Sequence, residues 1–83
     1  MSNYLYPATV ESNNEGGFIA KFRDVPEAIT EAWDLEELKN NARDALISAI
    51  DFYIEDRKAF PVGSTVKSGE IAIELPASVV AKV

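Results

Sequence analysis

The sequence contains no cysteine and no histidine, and only eight basic residues stand against fourteen acidic ones. Within these 83 residues, the first two absences exclude thiol chemistry, histidine-assisted nucleophilic catalysis and histidine-based metal sites. The net charge of −6 argues against direct binding of nucleic acid, because phosphate binding requires a cationic surface. The same charge favours a basic partner.

Long apolar runs are also absent. None approaches the roughly 20 residues of a membrane-spanning helix, and the N-terminus lacks a signal-peptide pattern, so we expect a cytoplasmic protein without membrane contact.

Glycine-rich phosphate-binding loops and metal-ligand clusters are missing, and we expect no cofactor, no metal and no catalytic residue. The apolar share of 47% is typical of one globular domain. Its small core predicts a homodimer or higher oligomer, which would add buried area.

One stretch predicts a long amphipathic helix over residues 34–58. Asp34 is suited to be its N-cap, and Glu37 is suited to close a capping box. Pro61 prevents the helix from continuing. Apolar residues recur at steps of three and four along one face, at Leu35, Leu38, Ala42, Ala45, Ala49 and Phe52. Leu46, Ile50 and Tyr53 widen the same face.

Four strands are predicted around this helix, over residues 4–11, 18–23, 28–33 and 70–75; all alternate except the weaker third, whose period favours neither face. Short connections make the first three strands antiparallel neighbours. The helix and its loops form a crossover long enough to return the fourth strand parallel to an earlier one, with the helix on one face of the sheet. The prediction is an α+β domain in the order β-β-β-α-β.

Some residues allow two interpretations. Trp33 precedes the helix cap, and we expect it to pack as a hydrophobic staple or local core, although tryptophan is also a frequent interface anchor. We expect three further aromatic residues to lie either in the core or on a surface through which copies of the chain associate: Phe52, Tyr53 and Phe60. Four carboxylates near strand ends could hold a divalent cation, but surface, cap or loop roles are their ordinary ones. These four are Asp24, Glu31, Asp34 and Glu74.

A series of short motifs along nearly the whole chain resembles the HicB antitoxins. In order they are Tyr6-Pro7-Ala8, Glu15-Gly16-Gly17-Phe18, Phe22-x-Asp24-Val25-Pro26, Ile29-Thr30-Glu31, Leu35-Glu36-Glu37, Ala42-x-x-Ala45-Leu46, Phe52-Tyr53-x-Glu55-Asp56 and Ile73-Glu74-Leu75-Pro76. The sequence departs from the family at Ala32 and Trp33, where a glycine and an acidic residue are common, and at Asp34, where threonine or serine is common.

The resemblance implies a partial ribonuclease-H-like fold, and a function. HicB proteins neutralise HicA toxins, small basic ribonucleases that cleave mRNA, by covering the toxin's active site. Many carry a further segment that binds the operator DNA of their own gene pair. We therefore expect residues 1–76 to form the toxin-binding domain, and residues 77–83 to begin a DNA-binding segment that this sequence does not include.

Three functional hypotheses follow. The first is a non-catalytic inhibitor of a HicA-like toxin, which binds through residues at the ends of the second and third strands: Arg23, Asp24, Glu27, Glu31 and Trp33. The second is a non-catalytic oligomerisation module. The third is a metal-dependent nuclease, which the sequence disfavours because residues 4–10 of the first strand carry no carboxylate to hold Mg²⁺.

Overall fold

The structure is a computed structural model that describes residues 4–61 and 63–76. Its elements follow the predicted order: β1 (Leu5–Ser12), β2 (Phe18–Phe22), β3 (Ile29–Ala32), α1 (Leu35–Glu55) and β4 (Glu70–Glu74). The α+β class with a four-stranded sheet and one long helix is thereby confirmed for the described residues. The predicted start of a DNA-binding segment at 77–83 lies outside them.

The four strands form one sheet in the order β3-β2-β1-β4, and every neighbouring pair is antiparallel. In the outer pair, Leu5 lies opposite Glu74 and Thr9 lies opposite Glu70. The prediction that the fourth strand is parallel to an earlier one is therefore wrong. The ribonuclease-H-like topology implied by the resemblance included that parallel strand, and it is not confirmed.

The connection between α1 and β4 explains this difference. Its residues 56–69 can span roughly 45 Å when extended, enough to run back along the sheet before β4 begins. Gly63 passes directly over the start of β1, where an added Cβ would lie 1.9 Å from the Leu5 carbonyl oxygen. Arg23 then binds the Ser64 hydroxyl and the Thr65 carbonyl. The chain thus enters β4 from the end opposite to the one expected from a simple crossover.

The core lies between the sheet and α1. Alanines on both contacting surfaces, such as Ala8 and Ala20 on the sheet and Ala42 on the helix, are fully buried and let the helix lie close to the strands. The larger fully buried side chains are Tyr6, Pro7, Phe22, Val25, Leu38, Leu46 and Ile50. Leu35 and Phe52, which we predicted on the apolar face of the helix, are 50% and 66% exposed.

Both ends of α1 are capped. The Glu37 N–H donates to Asp34 Oδ1 at 2.8 Å, and the Trp33 N–H donates to Glu37 Oε1 at 3.0 Å, so the capping box is present with its return bond one residue earlier than usual. The helix ends three residues before the predicted position 58. Arg57 adopts a φ of 58°, and the Lys58 N–H donates to the Tyr53 carbonyl at 2.9 Å, which forms a Schellman motif.

Candidate functional site

The structure divides the five predicted partner-binding residues between two ends of the domain. Arg23, Asp24 and Glu27 lie where the chain leaves β2 and turns toward β3. Glu31 and Trp33 lie at the other end of β3, because Ala32 pairs with Phe18 at the start of β2. In the first group Arg23 and Asp24 form an ion pair at 3.9 Å, and in the second Glu31 and Trp33 line the same cavity.

Arg23 and Asp24 are engaged within the domain. Arg23 forms a two-pronged contact with Glu70, with Nε 2.9 Å from Oε2 and Nη2 3.2 Å from Oε1. This hydrogen bond raises the pKa of Arg23, and it is also the main reason why the pKa of Glu70 is lowered. Asp24 Oδ2 accepts the Ser64 N–H at 2.8 Å. The two side chains therefore hold the connection that precedes β4.

Glu27 also makes an internal contact, with the end of the helix. Its two carboxylate oxygens accept the Tyr53 hydroxyl at 3.1 and 3.0 Å. Burial and this hydrogen bond raise the pKa of Tyr53. The Tyr53 ring meets Phe60 edge-on at 5.0 Å, and Phe60 meets Tyr6 in the same way at 5.6 Å. Glu27 thus helps to join the β2–β3 turn to the helix end.

Trp33 differs from these three residues because 66% of its surface is exposed. The expectation that it adds to a local core is therefore wrong. Its ring is nevertheless positioned: it lies over Gly17, where an added Cβ would be 3.4 Å from Trp33 Cε3 and 2.7 Å from the Ala32 carbonyl oxygen. The short distance to the Ala32 backbone oxygen excludes a side chain at Gly17, whereas the distance to the indole is ordinary van der Waals contact.

A cavity of about 230 Å³ lies beside this indole, between the β1–β2 hairpin and the start of α1. Carboxylates surround it, and neither lysine nor arginine lines it. The lining residues are Asn13, Glu15, Glu31, Ala32, Trp33, Glu37 and Asn41. An exposed aromatic ring with an acidic rim is suited to receive an arginine or lysine side chain, by cation–π and ionic contacts.

Two asparagines fix the shape of this site. Asn13 Oδ1 accepts the N–H groups of Glu15 at 2.9 Å and of Gly17 at 2.8 Å, which closes the hairpin turn. Asn41 Nδ2 donates to the Glu31 carbonyl at 3.0 Å and ties the helix to the edge of β3. The rim therefore belongs to a pre-formed surface.

Five lining residues were not predicted from the sequence as part of a site: Asn13, Glu15, Ala32, Glu37 and Asn41. Glu37 was assigned only a capping role, and no role was assigned to Asn41 or to the side chains of Asn13 and Glu15 in the first hairpin. The available signal was the four-residue spacing of Glu37 and Asn41, which places them on one side of the helix that begins just after Trp33. Among the described residues no three carboxylates come together as a metal site, and no helix there could cross a membrane.

Comparisons with known proteins relate this fold and sequence to one family. A protein-family model described as "HicB_like antitoxin of bacterial toxin-antitoxin system" matches residues 5–83. The chain is 42% identical over 78 residues to antitoxin HicB of Escherichia coli K12, covering 94% of this chain and 56% of that protein. It is 46% identical over 81 residues to antitoxin HicB 2 of Photorhabdus laumondii, covering 98% and 56%.

The fold has a relative among solved structures. The N-terminal domain of Burkholderia pseudomallei antitoxin HicB superposes with a TM-score of 0.64 at 14% identity, covering 88% of this chain and 96% of that one. The chain spans little more than half the length of the curated relatives that it matches. The family model and the sequence identities confirm the resemblance that the short motifs indicated: the chain belongs to the HicB-like antitoxin family of bacterial toxin–antitoxin systems.

Proposed function

We propose that this domain binds and neutralises a HicA-like toxin, a small basic ribonuclease that cleaves mRNA, and covers its active site in the cytoplasm. The domain contributes no catalytic group. The observation that carries the proposal is the exposed Trp33, held between the hairpin and α1 with the carboxylates of Glu15, Glu31 and Glu37 around it. Regulation of its own operator would depend on a DNA-binding segment beyond residue 76.

Charge and shape suggest the mechanism. A ribonuclease holds RNA phosphates on a cationic surface, and a domain of net charge −6 is attracted to such a surface. Carboxylates at the rim would pair with the same lysines and arginines that otherwise bind phosphate. The Trp33 ring would supply the central apolar contact, since tryptophan and arginine are the residues most enriched in interface hot spots.

The test replaces Trp33 by alanine and measures binding of the toxin encoded beside this gene. We expect affinity to fall roughly 30-fold or more, as for a central hot-spot residue, together with loss of growth rescue on co-expression. Leu5→Ala is the matched control, because Leu5 is also an exposed apolar residue, at 40%, but belongs to β1 and does not line the cavity. Equal affinity of the Trp33 and Leu5 variants would contradict the role given to this site.

The alternative of an oligomerisation module is favoured by exposed apolar residues away from the cavity, among them Ile29 at 55% and Phe52 at 66%. A net charge of −6 on each copy opposes self-association at low ionic strength. We propose a homodimer only in addition to toxin binding. Sedimentation of the chain without toxin separates the two functions: growth rescue by a strictly monomeric chain would remove the oligomerisation alternative.

A further inference from the structure

One flank of α1 carries acidic and neutral side chains along its whole length, and we call it the acidic flank. Its members recur at steps of three and four, which places them on one side of a helix. They are Glu37, Asn41, Asp44, Ser48, Phe52 and Glu55. The hydrogen bond from Asn41 to the Glu31 carbonyl shows that this flank runs beside the edge strand β3. The Trp33 cavity lies at its first end.

The basic residues of the helix lie on the other flank. Lys39 and Arg43 are four residues apart, and the same line continues through Ile47 to the exposed Ile54. A solvated helix surface ordinarily mixes both signs of charge. Here the other flank mixes both signs, since Glu36 lies beside Lys39 and Arg43, whereas the acidic flank carries three carboxylates and no basic residue.

Phe52 marks the second end of the acidic flank. Its side chain is 66% exposed and lies between two surface cavities. Ser48, Asp51 and Glu55 line the cavity on one side, and the charged residues of the cavity on the other are Glu27, Asp56 and Lys58. Trp33 and Phe52 are the two most exposed large apolar residues of the described chain, and they stand roughly 30 Å apart at 1.5 Å per residue.

Local stability does not explain this arrangement. The last helical turn contains no basic residue, although a cation there would be favoured by the negative end of the helix dipole. Glu55 instead places a carboxylate in that turn, and Phe52 exposes an aromatic ring one turn earlier. Residues that break local rules without a compensating internal contact are expected at functional surfaces.

We propose that the acidic flank is a docking surface for an elongated cationic segment of the partner, a helix or extended strand with lysines or arginines along its length. Trp33 and Phe52 hold its two ends. The inference rests on the proposed function and deepens it, because it extends the toxin contact from one cavity to a strip along α1. A second copy of the chain is disfavoured as the occupant, since two acidic flanks repel each other.

Matched substitutions on the two flanks test this surface. Phe52→Ala on the acidic flank is compared with Ile54→Ala on the other, because Ile54 is an exposed apolar residue two positions away. Glu55→Lys is compared with Glu36→Lys, which changes the same charge on the other flank. Each full chain is titrated with a catalytically inactive form of the toxin encoded beside the gene.

We expect Phe52→Ala and Glu55→Lys each to weaken binding about tenfold or more, and the two controls to stay within about threefold. Glu55→Lys should do so while raising the urea midpoint, because the new cation suits the helix dipole. If Glu55 had only a structural role, the Glu55→Lys variant would not lose toxin affinity while its urea midpoint rises.

The other outcomes are distinct. If the unmodified chain does not bind the toxin at all, the proposed function fails. If the unmodified chain binds and Phe52→Ala and Glu55→Lys behave like their controls, the acidic flank is overturned while toxin binding stands. If Phe52→Ala abolishes a dimer in sedimentation and leaves toxin affinity unchanged, the occupant is a second copy, which also overturns the proposal.

Discussion

Arg57 shows how a single residue ends the helix. Its φ of 58° places it in the left-handed region, where glycine is usual and an L-residue with a side chain is strained. The two hydrogen bonds of the Schellman motif, Arg57 N–H to the Ile54 carbonyl and Lys58 N–H to the Tyr53 carbonyl, hold it there. The strain is thus offset by carbonyls that would otherwise lack partners.

Replacing Arg57 by glycine should raise the free energy of unfolding by about 0.5–1 kcal/mol. The relief of the left-handed strain exceeds the loss from the greater freedom of glycine in the unfolded chain. Urea unfolding followed by circular dichroism measures it. Arg57→Ala is the control, since alanine removes the guanidinium and keeps the strain. A glycine variant no more stable than the alanine variant would contradict this account.

At the scale of elements, the connection 56–69 decides the direction of β4. It is held by Arg23 through Glu70, Ser64 and Thr65, and by the Tyr6 hydroxyl, which donates to the Pro61 carbonyl at 2.8 Å. These contacts join residues more than 40 positions apart. They make the connection a fixed part of the fold.

Gly63→Ala should therefore destabilise the whole domain. Its Cβ would lie 1.9 Å from the Leu5 carbonyl oxygen and 2.9 Å from the Leu5 carbonyl carbon, so backbone must move. We expect a loss of about 1–3 kcal/mol, the usual range for overpacking, measured as a lower midpoint in thermal or urea unfolding. Ser68→Ala is the control, because Ser68 is exposed in the same connection. If both variants unfold at the same midpoint, the close packing of Gly63 on β1 is refuted.

At the scale of the molecule, net charge and its distribution matter more than any one ion pair. Fourteen acidic residues against eight basic ones give a field that extends about 10 Å at 0.1 M salt. The ion pair Arg23–Glu70 is partly buried, whereas Lys21–Glu11 stays half-exposed, and each engages one charge of either sign. What remains exposed beside α1 and β3 is predominantly negative.

The association rate with the toxin should consequently fall with salt. Between 0.05 and 0.5 M NaCl we expect a decrease of about tenfold or more, with a much smaller change in the dissociation rate, because steering by charge acts on encounter. Stopped-flow mixing measures both rates. Potassium glutamate in place of NaCl checks for a specific effect of chloride. An association rate independent of ionic strength would show that charge does not guide the encounter.

The candidate site was only partly predictable. Glu31 and Trp33 were predicted as partner-binding residues from acidity and from their place at the end of a strand, and the structure puts both at the same cavity. Glu15 and Asn13 could not be added, since their proximity to Trp33 depends on the antiparallel pairing of β1, β2 and β3. Three other charged residues were predicted at the partner surface because of their charge and loop position, but each contacts a residue far away in the sequence. The pairs are Arg23 with Glu70, Asp24 with Ser64, and Glu27 with Tyr53.

The sequence by itself determined the element order, the capping of α1, the acidic character and the family, because each of these is encoded in local spacing, residue type or short motifs. Tertiary structure alone decided the antiparallel direction of β4, the exposure of Trp33 and Phe52, and which carboxylates remain available to a partner. These depend on contacts between residues distant along the chain. No local pattern encodes where a 14-residue connection will pack, or which side chain it will engage.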